Sequence, residues 1–199
     1  SCHRSLVSGS WKEKNAPDLS LEGSRVQRPW LEAYLQQPHA IRKRGYYPGS
    51  GSRMPDFQLS SREVTLLADF LMDQEMEIAG FEPKNLSAFQ ANKAAALLKD
   101  KLACMGCHQI NGEGGVIGPE LSGLNKRLNP DYMMAMISDP HQLSTEVVMP
   151  KIPMDERYRE LIAHYLWSRE GDGEQNTYAS LLEHPLLLEK DSDSPQALY

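Results

Sequence analysis

Three cysteines occur in the chain. Two of them, Cys104 and Cys107, stand three positions apart with His108 directly behind, in the run Cys104-Met105-Gly106-Cys107-His108. Two thiols at this spacing suit a redox dithiol, half of a zinc site or the attachment of a haem. The adjacent histidine decides among them. The thiols add to the porphyrin vinyl groups as thioethers, and a histidine beside the second is then held under the iron as its proximal ligand. Zinc would require a second ligand pair, and the chain has no other C-x-x-C. A thioredoxin-like dithiol should follow a strand in a βαβ unit, whereas the residues before Cys104 carry a helical pattern. The motif therefore reads as one complete attachment site for haem c, with Cys104 and Cys107 as the thioether cysteines and His108 as an iron ligand.

The iron also needs a sixth ligand, or it stays open to small molecules; methionine sulfur is the usual choice in electron carriers and raises the potential. Composition does not choose among nine methionines, but an internal repeat does. Gly118-Pro119-Glu120-Leu121 after His108 answers to Ala16-Pro17-Asp18-Leu19 after His3. Trp30 lies 11 positions beyond Leu19, as Tyr132 lies beyond Leu121, and Pro38-His39 and Pro140-His141 follow these aromatics by 8. A loop of differing length leads to Met54-Pro55 and Met149-Pro150, and 16 and 17 positions on come Phe70-Leu71 and Tyr165-Leu166. This register pairs Met54 with Met149. Met154 is the alternative that a five-residue shift would present. The register also pairs Cys2-His3 with Cys107-His108. Cys2-His3 is thus expected to close a second C-x-x-C-H whose first cysteine lies upstream of residue 1.

The elements that must position these groups are helices. Ser87 to Gln90 is a capping-box pattern opening a helix from Ser87 to about Ala103, which ends at Cys104. The first repeat should have a matching helix of three to four turns ahead of its motif, in a segment missing from the chain. Ser60 to Glu63 is a second capping box, with Val64, Leu67, Ala68 and Leu71 behind it as an apolar stripe. Tyr158, Leu161, Ile162, Tyr165 and Leu166 make the same stripe in the second repeat. Shorter helices start near Pro29 and Pro130, where proline suits the first turn, and end before Pro38 and Pro140. No period-2 strand is evident. Glycines at 45, 49 and 51 and at 112, 114, 115 and 118 are expected to let backbone pack against a haem edge rather than cradle phosphate, since no Gly-Lys-Ser/Thr follows.

Taken together, these residues resemble the class I cytochrome c family in a tandem dihaem arrangement. The likeness rests on C-M-G-C-H at 104–108, G-P-E-L at 118–121, Tyr132 and Met149-Pro150, with Cys2-His3, P-D-L at 17–19, Trp30 and Met54-Pro55 as counterparts. It implies an all-α fold of two tandem cytochrome c-like domains, residues 1–80 and 81–170, each wrapped around one haem c. An acidic tail, 171–199, has no counterpart in a plain cytochrome domain. It further implies His108 and Met149 as axial ligands of one haem, His3 and Met54 as those of the other, Cys2 as a thioether cysteine, and a periplasmic location.

Charge and hydropathy agree with a protein-facing electron carrier. Net charge is −6, and the tail alone holds six acidic residues against one basic. No basic stripe marks a nucleic-acid surface, and no apolar run is long enough to span a membrane. The basic run Arg42-Lys43-Arg44 could dock an acidic redox partner, and the tail, with Leu181, Leu182 and Leu186 to Leu188, could pack on a partner subunit as an extended arm. His39, His141, His164 and His184 are read as structural or surface histidines, and Met133, Met134 and Met136 as core packing. The expectation is a non-enzymatic electron-transfer subunit of a membrane-anchored respiratory or photosynthetic complex. A free periplasmic shuttle, or a dihaem peroxidase or small-molecule oxidase with an open iron, stands as the alternative.

Overall fold

The computed structural model describes residue 3 and residues 17–41, 54–144 and 147–171. Cys2, the basic run at 42–44, the glycines at 45, 49 and 51, His184 and the tail from 172 onward lie outside the described residues. The described residues form a mostly helical chain: α1 (Glu22–Arg25), α2 (Arg28–Gln36), α3 (Ser61–Met72), α4 (Ala88–Ala96), α5 (Leu124–Arg127), α6 (Pro130–Ser138), α7 (Pro140–Leu143) and α8 (Glu156–Trp167). A short hairpin, β1 (Gln109–Ile110) with β2 (Glu113–Gly114), follows the cysteine motif.

Local sequence explains the helix starts. Ser60 Oγ accepts from Glu63 N at 3.4 Å while Ser60 N donates to Glu63 Oε2 at 2.9 Å, and Ser87 and Gln90 repeat the exchange at 3.3 and 3.0 Å. Both capping boxes thus satisfy backbone donors that a helix start leaves orphaned. Pro29 and Pro130 sit in the first turns of α2 and α6. There a missing N–H costs nothing and the fixed φ is already helical.

The helices keep the spacing of the sequence repeat. α1 and α5 are each four residues and begin 102 positions apart; α2 and α6 are each nine residues, again 102 apart. α3 and α8 are each twelve residues and 95 apart. Each half has its own apolar core. Val26, Leu31, Leu35, Val64, Ala68 and Leu71 make the first. Ala94, Leu98, Leu124, Met133, Ile162, Ala163, Tyr165 and Leu166 make the second.

Two features depart from the periodic reading. The helix expected from Ser87 to about Ala103 is regular only to Ala96. It then widens into a π turn over Leu97–Lys101, with Leu102 N bonded to Leu97 O at 2.9 Å. The wider turn lets the consecutive Leu97 and Leu98 both bury, at 8% and 1% exposure. The apolar stripe of α3 is also incompletely covered. Leu67 is 40% exposed and Phe70 48%, whereas Ile162 and Tyr165, at the matching positions of α8, are 2% and 8%. The cause is α4, which packs on α8 and shares a core with it. Among the described residues no helix lies on α3 in that place.

The halves join through a reciprocal hydrogen-bonded contact. Gln27 N donates to Arg127 O at 2.8 Å, and Asn129 N donates to Arg25 O at 3.0 Å; these are the same repeat positions with roles exchanged. Val26 and Leu128 form an antiparallel bridge between them. The Gln27 amide donates to the carbonyls of Asn125 and Leu128 at 2.6 and 2.8 Å. The Asn129 amide donates to those of Gly23, Ser24 and Val26 at 3.0, 3.1 and 3.2 Å. Gln27 and Asn129 are the N-caps of α2 and α6, yet neither side chain caps its own helix. Asn129 is a favoured capping residue, and its amide is engaged across the contact instead. Asn129→Ala leaves these part-buried carbonyls without their donor, and we expect a loss of about 1–3 kcal/mol, read as a lowered urea midpoint by circular dichroism. An unchanged midpoint would show that the amide is dispensable.

Candidate functional site

Cys104 is reached through a backbone reversal. Ala103 adopts a left-handed conformation with φ of 52°, and Cys104–Gly106 then forms a single 3-10 turn. Cys107 N and His108 N both donate to Cys104 O, at 3.2 and 3.0 Å. Both thiols and the imidazole are therefore carried on one tight turn. The cysteines are free, Cys104 half-buried and Cys107 exposed. Burial pushes the Cys104 thiol above its ordinary range, the opposite of what thiol–disulfide exchange requires.

The strand hairpin folds back beneath this turn. Gly115 N donates to Met105 O at 2.8 Å, Gly118 N to Cys107 O at 2.7 Å and Leu121 N to Gln109 O at 2.8 Å. At Gly118 the approach is against the functional ring itself: a Cβ there would lie 2.5 Å from both Cε1 and Nδ1 of His108. Glycine is required for the imidazole to lie flat on the chain.

His108 Nδ1 is 2.7 Å from the Pro119 carbonyl. A carbonyl only accepts, so Nδ1 donates its hydrogen and Nε2 keeps its lone pair. Burial lowers the His108 pKa, against the opposing pull of the Pro119 carbonyl, and so favours the neutral ring. A neutral imidazole with a fixed tautomer and a free Nε2 is the form that ligates a metal. The first half repeats the contact, with His3 Nδ1 3.0 Å from the Pro17 carbonyl.

The methionines differ in their surroundings. Met54 is half-buried and packs against the first core. Met154 packs against the second core. Met149 is half-buried, and among the described residues it is not part of either core's packing. Met133 is buried in the second core and Met134 packs on it. His39 meets Trp30 and Tyr34 edge-on, at 6.5 and 5.2 Å between ring centroids. His164 accepts from Lys84 N at 3.1 Å and stacks on Phe81, and His141 is exposed.

These residues suit a haem better than a bare ion. Among the described residues no group of three His, Cys, Asp or Glu side chains could hold a metal ion by itself. What is present is a thiol pair, a neutral imidazole and thioether sulfurs, the donor set of a covalently attached iron porphyrin. Ile117 and Val148, the chain neighbours of Gly118 and Met149, are 37% and 57% exposed, apolar surface of the kind that a flat apolar group would cover. Cys104 and Cys107 would hold that group, and His108 would ligate its iron.

Sequence reasoning missed the hairpin. Its signal was Asn111-Gly112, whose φ values of 52° and 78° fit the two-residue turn between paired strands and for which Asn-Gly is the strongest short-range mark. It also missed the Pro119 carbonyl, a main-chain acceptor that residue type does not reveal. The Cytochrome c family model matches residues 91–170 of this chain. The match takes in Cys104, Cys107, His108 and Met149 and supports a c-type cytochrome, implying haem c and haem-based electron transfer. A search of curated proteins finds none that matches. Gly118→Ala should displace the His108 ring and cut covalently bound haem per chain several-fold by pyridine haemochrome. Gly80→Ala, whose added methyl meets open space, should leave the count unchanged.

Proposed function

We propose that this chain is a dihaem electron-transfer protein, with residues 81–170 holding one haem c and residues 1–80 a second on the same plan. The observation that carries the proposal is the duplicated contact from a histidine Nδ1 to a proline carbonyl, at His108 and Pro119 and again at His3 and Pro17. The matching lengths of α1 and α5, α2 and α6, and α3 and α8 support the same reading.

In this reading Cys104 and Cys107 attach one haem, and His108 and Met149 ligate its iron. Cys2 contributes to attaching the other, with His3 and Met54 as ligands. Haem c supplies the one-electron chemistry when bound. The protein's part is to fix, orient and shield. Thioether attachment keeps the group in place through both oxidation states. The Pro17 and Pro119 carbonyls hold each imidazole in its ligating tautomer. Met149 and Met54 would supply thioether sulfur to the irons, which favours the reduced state and would leave them closed to small molecules.

The reading extends to a periplasmic location and to redox proteins or complex subunits as partners, in or beside a membrane-anchored respiratory or photosynthetic complex. Its support is the resemblance to tandem class I cytochromes. No helix among the described residues is long and apolar enough to cross a membrane.

Intact mass with a pyridine haemochrome assay tests the haem number, with two covalent haems per chain expected. One would leave a cytochrome and remove the second site, and release of all porphyrin by acidified solvent would remove both. Carbon monoxide tests the ligands. The reduced protein should bind it poorly, Met149→Ala should bind it rapidly at one per chain, and Met154→Ala should behave as the parent. Rapid stoichiometric binding by the parent would turn the assignment toward a haem enzyme.

A further inference from the structure

The stretch that joins the two halves, residues 73–86 between α3 and α4, contains no helix or strand, yet it is tied to both halves. On the first half Gly23 N donates to Gln74 O at 2.9 Å, and Met76 N donates to Ser24 Oγ at 2.8 Å. On the second half Phe81 N donates to Asp131 Oδ1 at 2.6 Å, and Lys84 N donates to His164 Nδ1 at 3.1 Å. The Phe81 ring stacks on the His164 ring with centroids 5.0 Å apart. Phe81 and Leu86 both pack on the second core, so the Lys84 bond fastens the span between two apolar anchors. His164 has no equivalent in the first half. Asp69 stands at the matching position of α3 and pairs there with Arg28, so the contact lies outside the plan that the halves share.

This tie differs from the others in its acceptor. A backbone N–H needs a lone pair to donate to, so the Lys84 bond exists only while His164 is neutral with its hydrogen on Nε2. Protonation puts a hydrogen on Nδ1, and two donors then face each other. Gly23 and Met76 donate to a carbonyl and a hydroxyl, neither of which titrates there. Phe81 donates to a carboxylate, a group whose ordinary range lies well below that of histidine. A charged ring is still drawn to the face of Phe81, which keeps Phe81 docked and confines the change to residues 82–85.

We propose that His164 is a pH-sensitive latch on the joining stretch, closed on Lys84 when the imidazole is neutral and open when it is protonated. The charged groups acting on the ring agree with the direction. Burial lowers the His164 pKa; Glu160, one turn earlier on α8, opposes this, and Lys84 from the joining stretch adds to it. The closed latch thus disfavours the proton. Its hold is complete above the ordinary histidine range and is lost as pH falls through the lowered value.

Amide hydrogen exchange in the reduced holoprotein tests this, followed residue by residue by NMR and corrected for the intrinsic pH dependence of exchange. Protection at Lys84 should fall several-fold between about pH 8 and about pH 5, while protection at Phe81 and Met76 holds. The ring resonances of His164 should titrate with the same midpoint, below that of an ordinary histidine. His164→Asn offers an oxygen near the place of Nδ1 and does not titrate, so Lys84 should stay protected across the range. His164→Phe keeps the stack and removes the acceptor, so Lys84 should be unprotected throughout. Lys84 protection that follows pH no differently from that of Phe81, a fall that persists in His164→Asn, or a ring midpoint at or above the ordinary histidine value would overturn the latch. The first and third of these are read on the parent chain, whatever the variants do.

Discussion

A histidine ligates a metal through a ring nitrogen whose lone pair is free, and the Pro119 carbonyl, 2.7 Å from Nδ1 of His108, holds the hydrogen there and leaves Nε2 in that state. Much of the local structure serves that one hydrogen bond. The left-handed Ala103 turns the chain so that Cys104 through His108 occupy one turn. The hairpin brings residues 115–121 back beneath that turn, and Gly118 supplies the gap in which the ring lies flat. A histidine without these constraints would exchange tautomers and rotate freely. Held in this way, it is neutral, oriented and open at Nε2.

The same economy governs the contact between the halves. Gln27 and Asn129 exchange bonds with each other's half at both backbone and side-chain level. The geometry there is reciprocal, while the charge is not, because Glu22 faces Arg25 and Leu124 offers Arg127 nothing equivalent. Shape and electrostatics are thus set by separate residues within one short segment of each half, so one can change while the other is kept.

Sequence alone carried the helices and the covalent motif a long way. Capping boxes at Ser60 and Ser87, prolines at 29 and 130 and apolar stripes are local signals, and the helices begin where they say. The register relating residues 17–38 to 119–140 survives in the bounds of α1, α2, α5 and α6. What sequence could not carry depends on partners distant along the chain. Leu67 belongs to an apolar stripe by period but is left uncovered, because covering is a property of the neighbouring helix. The π turn at Leu97–Lys101 answers to two adjacent leucines that both bury, which a fixed 3.6-residue period does not accommodate. The carbonyls of Pro17 and Pro119 are main-chain atoms, and every residue type has one.

That last point has a consequence at the contact between the halves. The amides of Gln27 and Asn129 grip carbonyl oxygens, so these bonds read the path of the other half's peptide chain rather than its side chains. The side chains of Ser24, Asn125 and Lys126 could therefore drift far apart in evolution without these bonds being lost. Divergence of the two lobes into unequal partners requires no renegotiation of how they are joined.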